Sequence, residues 1–142
     1  MPKLLVAFDG SDTALRGLRY AITLAKSMHE ADIHLVHAHE APEVDGAVSI
    51  YVTHDKMAEL QQQHSSSLLE AGTNLLAEAG VTHRSEVLVG HVGQVIAQRA
   101  DALKCDMIIM GTRVMGATGN LFMGSVSTKV VHFAHMPVTL VK

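Results

Sequence analysis

The chain alternates short apolar runs with longer amphipathic segments along its whole length, and this alternation restricts the fold more than any other feature. Continuous apolar runs of this length are typical of strands covered on both faces, so we predict five strands. The predicted strands are residues 4–8, 32–39, 82–89, 105–110 and 137–141.

Four helices are predicted between these strands. The first follows the capping residues Ser11-Asp12-Thr13 and ends near residue 27, the second covers 55–79 and ends at Gly80, and the others cover 92–103 and 125–133. In the second helix we expect residues 61–67 to face solvent. Its apolar side is predicted to contain Met57, Leu60, Leu68, Leu69, Leu75 and Leu76. Residues 41–53 form the longest irregular stretch and are a candidate lid.

Strands joined by helices of this length require parallel pairing with right-handed crossovers. We therefore expect one α/β domain over residues 1–142, a three-layer sandwich with a five-stranded parallel sheet. This connectivity does not by itself fix the strand order, and the order that we adopt is 3-2-1-4-5. In that order the chain reverses direction between the first and fourth strands. Ligands of such sheets bind at the carboxyl ends of the strands that flank the reversal.

Composition excludes several classes of function. The net charge is −3 with neutral histidines and the eleven Lys and Arg residues form no cluster, so we expect no nucleic-acid partner. No apolar run approaches the roughly 18 residues that span a bilayer, so no membrane partner is expected. The single cysteine, Cys105, and a start without signal-peptide features favour a cytoplasmic location.

A glycine-spaced loop and a hydroxyl-rich helix start follow the fourth strand, between Gly111 and Ser127. The first amides of a helix lack intrahelical acceptors and carry the positive end of its dipole, so such a segment suits a phosphate. The alternative is that these glycines only shape a surface turn and Ser125 only caps the helix. A strand order of 3-2-1-4-5 would place residues 7–11 and this loop in one pocket.

Two common nucleotide motifs are excluded. A dinucleotide-binding turn needs G-x-G-x-x-G, but the first turn contains only Gly10, and Asp9 would repel pyrophosphate. A P-loop needs G-x-x-x-x-G-K-[ST]. Gly111 and Gly116 have that spacing, but Ala117-Thr118 follow them.

The chain resembles the universal stress protein family over essentially its full length. The resemblance is carried by residues 5–11 (LVAFDGS), 35–38 (LVHA), 89–92 (VGHV), 106–113 (DMIIMGTR), 124–127 (GSVS) and 137–141 (PVTLV). It implies the adenine nucleotide alpha hydrolase-like fold and a regulatory, stress-response function. In the ATP-binding branch the signature is Gly-x2-Gly-x9-Gly-[ST], which Gly111, Gly124 and Ser125 match, whereas Val114 occupies the position of the middle glycine.

The resemblance also implies a role for each part of the pocket. Asp9 would contact the ribose or a metal ion, Mg²⁺ or Mn²⁺, bound with ATP, and the main chain near Ala38 would meet the adenine edge. The phosphates would be held by Gly111, Gly124, Ser125, Val126 and Ser127. The candidate nucleotide-binding residues are Ala7, Phe8, Asp9, Ala38, Met110, Gly111, Arg113, Val114, Gly116, Gly124, Ser125, Val126 and Ser127.

Val114 leaves two interpretations open. If this position needs positive φ, valine adds about 1–3 kcal/mol of strain, which weakens an ATP site without abolishing it. Gly116 could then let the loop approach the phosphates by another path. The alternative is a nucleotide-free dimeric interaction module of the same family. A third hypothesis is an enzyme with slow ATP hydrolysis or phosphoryl or adenylyl transfer, such as autophosphorylation of Thr112 or Thr118, although no catalytic residues can be named.

Four further interpretations concern single features. The final strand, Pro137 to Val141, lies at a sheet edge in the predicted order and is expected to form a homodimer by pairing with its copy.

His37 and His39 share one strand face, but no spacing matches a metal site. Cys105 is interpreted as a packed thiol. Asp9, at the end of a buried strand, is expected to need a partner or ligand, and its alternative role is to cap the turn that follows.

Overall fold

The computed structural model describes residues 1–41, 53–112 and 124–142. The candidate lid at 41–53 and most of the glycine loop therefore lie largely outside the described residues. Within them the chain alternates strands and helices in order. The elements are β1 (Lys3–Ala7), α1 (Asp12–Ser27), β2 (Asp32–His39), α2 (His54–Ala79), β3 (His83–Val89), α3 (Val92–Ala102), β4 (Met107–Gly111), α4 (Ser125–Phe133) and β5 (Val138–Val141).

The five strands form one parallel sheet in the order β3-β2-β1-β4-β5, and the predicted fold class and strand order are confirmed. Helices α1 and α2 pack on one face, where Leu18, Leu69 and Leu76 cover the side chains of β1 and β2. Helices α3 and α4 pack on the other face, where Ile96 and Val130 are buried. The sheet is thus the middle of three layers, and every crossover helix begins at its carboxyl edge.

Local sequence determines where the helices begin and end. Ser11 is the N-cap of α1, and its hydroxyl accepts a hydrogen bond from the amide of Ala14. Thr53 caps α2 in the same way through the amide of Lys56. Gly80 ends α2 with φ of +71°, a left-handed conformation that glycine adopts without a steric penalty.

Helix α2 departs from the predicted solvent pattern. Leu60, which was predicted on the apolar side, is 46% exposed, whereas Ser65 in the expected polar segment is fully buried. The reason is that the buried stripe consists of Ser65, Leu69, Gly72 and Leu76, which recur at helical spacing on the side that faces β2. The prediction for these two positions was wrong because it followed residue type rather than the angle around the helix.

The predicted start of β4 was also wrong. It was placed at Cys105, but the strand begins at Met107, because Cys105 and Asp106 form the turn that leads into it. The Cys105 amide donates to the carbonyl of Ala100, and the Asp106 amide donates to the carbonyl of Lys3. None of the described helices is long and apolar enough to cross a membrane.

Candidate functional site

A cleft of about 530 Å³ opens at the carboxyl edge of the sheet, where the chain reverses between β1 and β4. Its volume lies within the usual range for small-molecule sites, roughly 300–1,000 Å³. Three helix starts and the ends of three strands contribute to its wall. The lining residues are Ala7, Phe8, Asp9, Ser11, Thr13, Ala14, Val36, His37, Ala38, Val92, Ile96, Met110, Gly111, Thr112, Gly124, Ser125, Val126 and Ser127.

Ten of the thirteen predicted binding residues line this one cleft. The structure therefore brings together the end of β1, the end of β2 and the start of α4, which are far apart in sequence. Arg113, Val114 and Gly116 lie outside the described residues, so the departure from the glycine signature has no structural description.

The turn after β1 presents a carboxylate to the cleft. Asp9 is exposed rather than buried, and its Oδ1 accepts hydrogen bonds from both the amide and the hydroxyl of Ser11. The premise that Asp9 is buried was wrong, because the strand ends before it. Its expected partner is Ser11, and this contact is the alternative role of capping the turn. Gly10 has φ of +80°, the left-handed conformation that allows this sharp turn. One carboxylate oxygen of Asp9 thus stabilises the turn, and the residue also lines the cleft.

Gly111, at the end of β4, is needed for packing. A Cβ atom built there would lie 2.2 Å from the carbonyl oxygen of Thr13 and 2.7 Å from the amide nitrogen of Ala14. Only glycine lets the first turn of α1 approach β4 this closely. This close packing fixes the floor of the cleft between the two strands.

Gly124, the N-cap of α4, has no comparable packing role. Its φ of −62° and ψ of 163° suit any residue, and a built Cβ atom has nothing within 4 Å in the described structure. In contrast to Ser11 and Thr53, this N-cap has no side-chain hydrogen bond to the helix. The first amides of α4 therefore receive no side-chain cap from this residue, which is the arrangement that favours an anion at a helix start.

The two serines of α4 have different environments. Ser125 is exposed at the first helical position, whereas Ser127 is only 4% exposed. Both residues line the cleft and belong to the first turn of α4. A serine hydroxyl can donate one hydrogen bond and accept others, so these groups can extend an anion site beyond the main chain.

The main chain of Ala38 lies just beyond the last paired residue of β1. The Phe8 amide donates to the Val36 carbonyl, and the Gly90 amide donates to the His39 carbonyl. Even-numbered residues of β2 therefore direct their N–H and C=O groups toward β1, and odd-numbered residues direct theirs toward β3. Within the described part of the chain, Ala38 N–H and C=O have no protein partner, and both point past the end of β1 into the cleft.

The electrostatics of the cleft are unusual for an anion site. Among the described lining residues, Asp9 carries the only charged side chain, apart from any charge on His37. No lysine or arginine is present in this set. Phosphate groups would therefore depend on helix amides, hydroxyl groups and an added cation.

Several lining residues were not among the predicted binding residues. The apolar wall made by Val36, Val92 and Ile96 could have been found from the position of Val36 near the end of β2 and the i, i+4 spacing of the other two at the start of α3. His37 was considered only for metal binding. Its contact with the Phe8 carbonyl joins residues 29 positions apart, which no local pattern reveals.

Other sequence candidates lie outside the cleft or carry no reactive environment. Cys105 is 7% exposed, and burial raises the pKa of its thiol, which is the opposite of an activated nucleophile. Histidines 37 and 39 do share a face, with ring centroids 6.1 Å apart, but the described residues contain no group of three metal-ligating side chains. The Thr112 hydroxyl oxygen is buried.

These features define a doubly wound α/β protein with a cleft at its topological switch point. The sequence model of the universal stress protein family matches residues 1–142. A universal stress protein of Thermus aquaticus, from the 3′ region of a QAH/OAS sulfhydrylase, is 36% identical over 140 residues, covering 98% of this chain and 97% of that protein. The chain belongs to the universal stress protein family, as its sequence motifs predicted.

Solved structures agree with this assignment. The universal stress protein of Archaeoglobus fulgidus superimposes with a TM-score of 0.75 and 25% identity, over 100% of this chain and 98% of that one. A universal stress protein family member of Arabidopsis thaliana, solved with AMP bound, superimposes with a TM-score of 0.68 and 21% identity, over 100% of this chain and 92% of that one. The second comparison shows the shared fold.

Proposed function

We propose that the cleft binds an adenine nucleotide, ATP in particular, and that nucleotide occupancy regulates the protein in a stress response. The observation that carries the proposal is that, in the part of the chain that the structure describes, the main chain of Ala38 has no protein partner and the N-cap of α4 has no side-chain hydrogen bond, while both line one cleft. The cleft thus offers a neutral donor and acceptor pair as well as helix amides. The AMP complex of the Arabidopsis protein, which shares the fold, supports the same class of ligand.

The base would bind at Ala38. An N–H and a C=O group of one residue on one strand edge match the N1 acceptor and the N6 amino donor of adenine. Val36, Val92 and Ile96 also line the cleft, and their apolar side chains would pack against the ring. A purine that carries hydrogen on N1 would place a second donor against the Ala38 N–H, and this hydrogen bond could not form.

The phosphates would bind at the start of α4. The main-chain amides of residues 125–127 and the hydroxyls of Ser125 and Ser127 can donate to phosphate oxygens. Gly124 supports this assignment because, among the described residues, neither its backbone angles nor its neighbours require glycine. Arg113, Val114 and Gly116, which lie outside the described residues, are proposed to contribute to the same nucleotide site.

A divalent cation fits the chemistry of the cleft. Asp9 contributes a carboxylate, one oxygen of which is occupied by Ser11. Mg²⁺ is commonly held by one or two carboxylates together with substrate phosphates, so Asp9 and the nucleotide would share Mg²⁺ or Mn²⁺. The cation would also neutralise the repulsion between Asp9 and the triphosphate.

Isothermal titration calorimetry with ATP, ADP and AMP, each with and without Mg²⁺, tests the proposal. We expect saturable binding of ATP that strengthens with Mg²⁺, and weaker dependence on Mg²⁺ for AMP, which has fewer phosphate oxygens to share a cation. Absence of binding by all three nucleotides at millimolar concentration would overturn the proposal and favour a nucleotide-free interaction module.

We also propose a homodimer through β5. The carbonyls of Pro137 and Val141 accept from β4, so the outer N–H and C=O groups belong to Val138 and Leu140. Strand β5 carries no charged residue, whereas the other edge strand, β3, carries Arg84 and Glu86 and is protected from pairing by them. Exposed apolar residues of α4, Val131 at 42% and Phe133 at 39%, extend the apolar surface.

Sedimentation of two variants tests this interface. Leu140→Pro removes an outward donor, whereas Leu140→Ala loses similar packing but keeps that donor. We expect the proline variant to sediment as a monomer at tens of micromolar and the alanine variant to remain dimeric. A monomeric parent protein, or a proline variant that dimerises as the parent does, would refute the assignment.

A further inference from the structure

The pairing between β1 and β2 stops one hydrogen bond early. The Asp32 amide donates to the Pro2 carbonyl, and the Phe8 amide donates to the Val36 carbonyl. Continuation of this parallel ladder would have the Ala38 amide donate to the Phe8 carbonyl. In the structure the Phe8 carbonyl instead accepts a hydrogen bond of 2.9 Å from Nδ1 of His37.

The His37 ring is well placed to make this substitution. His37 is 9% exposed and belongs to the face of β2 that α1 and α2 cover. A carbonyl oxygen can only accept, so Nδ1 carries the hydrogen in this contact. The His37 side chain therefore donates the hydrogen bond that the Phe8 carbonyl would otherwise accept from the Ala38 amide.

We propose that His37 is a positioning residue that keeps the Ala38 amide free to recognise the nucleobase. The inference deepens the proposed nucleotide site and rests on it. By occupying the Phe8 carbonyl, His37 ends the β1–β2 ladder at Val36 and leaves the Ala38 donor facing the cleft. His37 need not touch the nucleotide to do this, because it acts through the Phe8 carbonyl.

The expected consequence is base selectivity rather than affinity alone. The free Ala38 N–H donates to N1 of adenine, which carries a lone pair, whereas N1 of hypoxanthine carries hydrogen and cannot accept. If His37 is lost, the Ala38 amide can turn to the Phe8 carbonyl and complete the ladder. The cleft then loses its selective donor while the phosphate groups keep their contacts with α4.

Three variants separate this role from general packing. His37→Leu removes the donor and keeps an apolar side chain, whereas His37→Asn places an amide donor one bond beyond Cγ, as Nδ1 is in histidine. His34→Leu is the matched control, because His34 lies on the same strand, contacts Glu86 and does not line the cleft. Circular dichroism and thermal unfolding establish that each variant folds.

Calorimetric titration with ATP and ITP gives the first readout. We expect the parent protein to prefer ATP by tenfold or more, His37→Leu to lose at least fivefold of that preference, and His37→Asn to recover most of it. The control should keep the parent preference. An unchanged ATP-to-ITP ratio in His37→Leu would overturn the proposed role.

Amide hydrogen exchange in the ligand-free protein gives the second readout and does not depend on nucleotide binding. We expect the Ala38 amide to exchange rapidly in the parent protein and at least tenfold more slowly in His37→Leu. Equal exchange in both would refute the action of His37 on the ladder. If the parent binds no nucleotide but the exchange rates differ as expected, the proposed function fails and the positioning effect stands.

Discussion

Replacement of Gly124 by alanine separates a ligand-binding glycine from a structural one. Among the described residues the new Cβ atom would have no neighbour within 4 Å, and the backbone angles suit alanine. Because alanine is a poorer N-cap than glycine, the substitution should lower the free energy of unfolding by about 0.5–1 kcal/mol. Alanine also reduces the conformational entropy of the unfolded chain, which should raise the free energy of unfolding by about 0.4–1 kcal/mol. The free energy of unfolding should therefore change by less than about 0.5 kcal/mol, or about 3 °C in Tm.

Nucleotide binding should respond much more strongly. The open space beside Gly124 is where a phosphate would approach the α4 amides in the proposed site. A methyl group there should cost a charge-assisted hydrogen bond of about 1.5–3 kcal/mol, or about 10- to 150-fold in Kd for ATP. Isothermal titration calorimetry measures the binding, and scanning calorimetry without nucleotide measures the stability.

Gly111→Ala is the contrasting variant. Its Cβ atom would lie 2.2 Å from the Thr13 carbonyl oxygen, so the α1 start must move and the protein should lose about 1–3 kcal/mol of stability or more. If Gly124→Ala binds ATP as the parent does, the assignment of the α4 start to phosphate is wrong. A Gly124→Ala protein as unstable as Gly111→Ala would refute the structural reasoning itself.

Three further variants test other parts of the account. Ser125→Ala should weaken ATP binding by about 1 kcal/mol or more, or about fivefold, whereas Ser66→Ala on the exposed side of α2 should leave calorimetric binding unchanged. Asp9→Asn should abolish most of the gain that Mg²⁺ gives to ATP binding, and an equal gain in both proteins would contradict the proposed cation ligand. Burial alone would raise the pKa of Glu86, but hydrogen bonds and charge from Arg99 and His34 lower it. A carboxyl group whose pKa is lowered by folding stabilises the protein at pH values above its unfolded-state pKa, and this stabilisation is lost as the pH falls through its folded-state pKa. Glu86→Gln should therefore lower the free energy of unfolding at pH 7. Near pH 3 the variant and the parent protein should have similar stability in urea unfolding.

Much of the fold could be predicted from the sequence because it depends on local and repeating signals. Strand bounds followed from continuous apolar runs, and helix bounds followed from caps such as Ser11 and Gly80. The strand order followed from parallel connectivity together with the family resemblance. Errors arose where position around a helix decides burial, as for Leu60 and Ser65.

The chemistry of the site was harder to predict because it depends on contacts between distant residues. The glycines at 111 and 124 looked alike in sequence, yet among the described residues only Gly111 has a close neighbour, Thr13, nearly 100 residues away. The role of His37 likewise depends on the Phe8 carbonyl. Side-chain type indicates what a residue can donate or accept, but the fold decides which partner it meets.

Titration of ¹⁵N-labelled protein with ATP and Mg²⁺, followed by amide chemical shifts, tests the central claim most directly. The account predicts saturable shifts at Ala38, where the base would bind, and at Ser125, Val126 and Ser127, where the phosphates would bind. Amides of β3 and of the middle of α2 should remain unchanged and serve as internal controls. Shifts absent from Ala38 and from the start of α4, or confined to other surfaces, would contradict an adenine nucleotide site in this cleft.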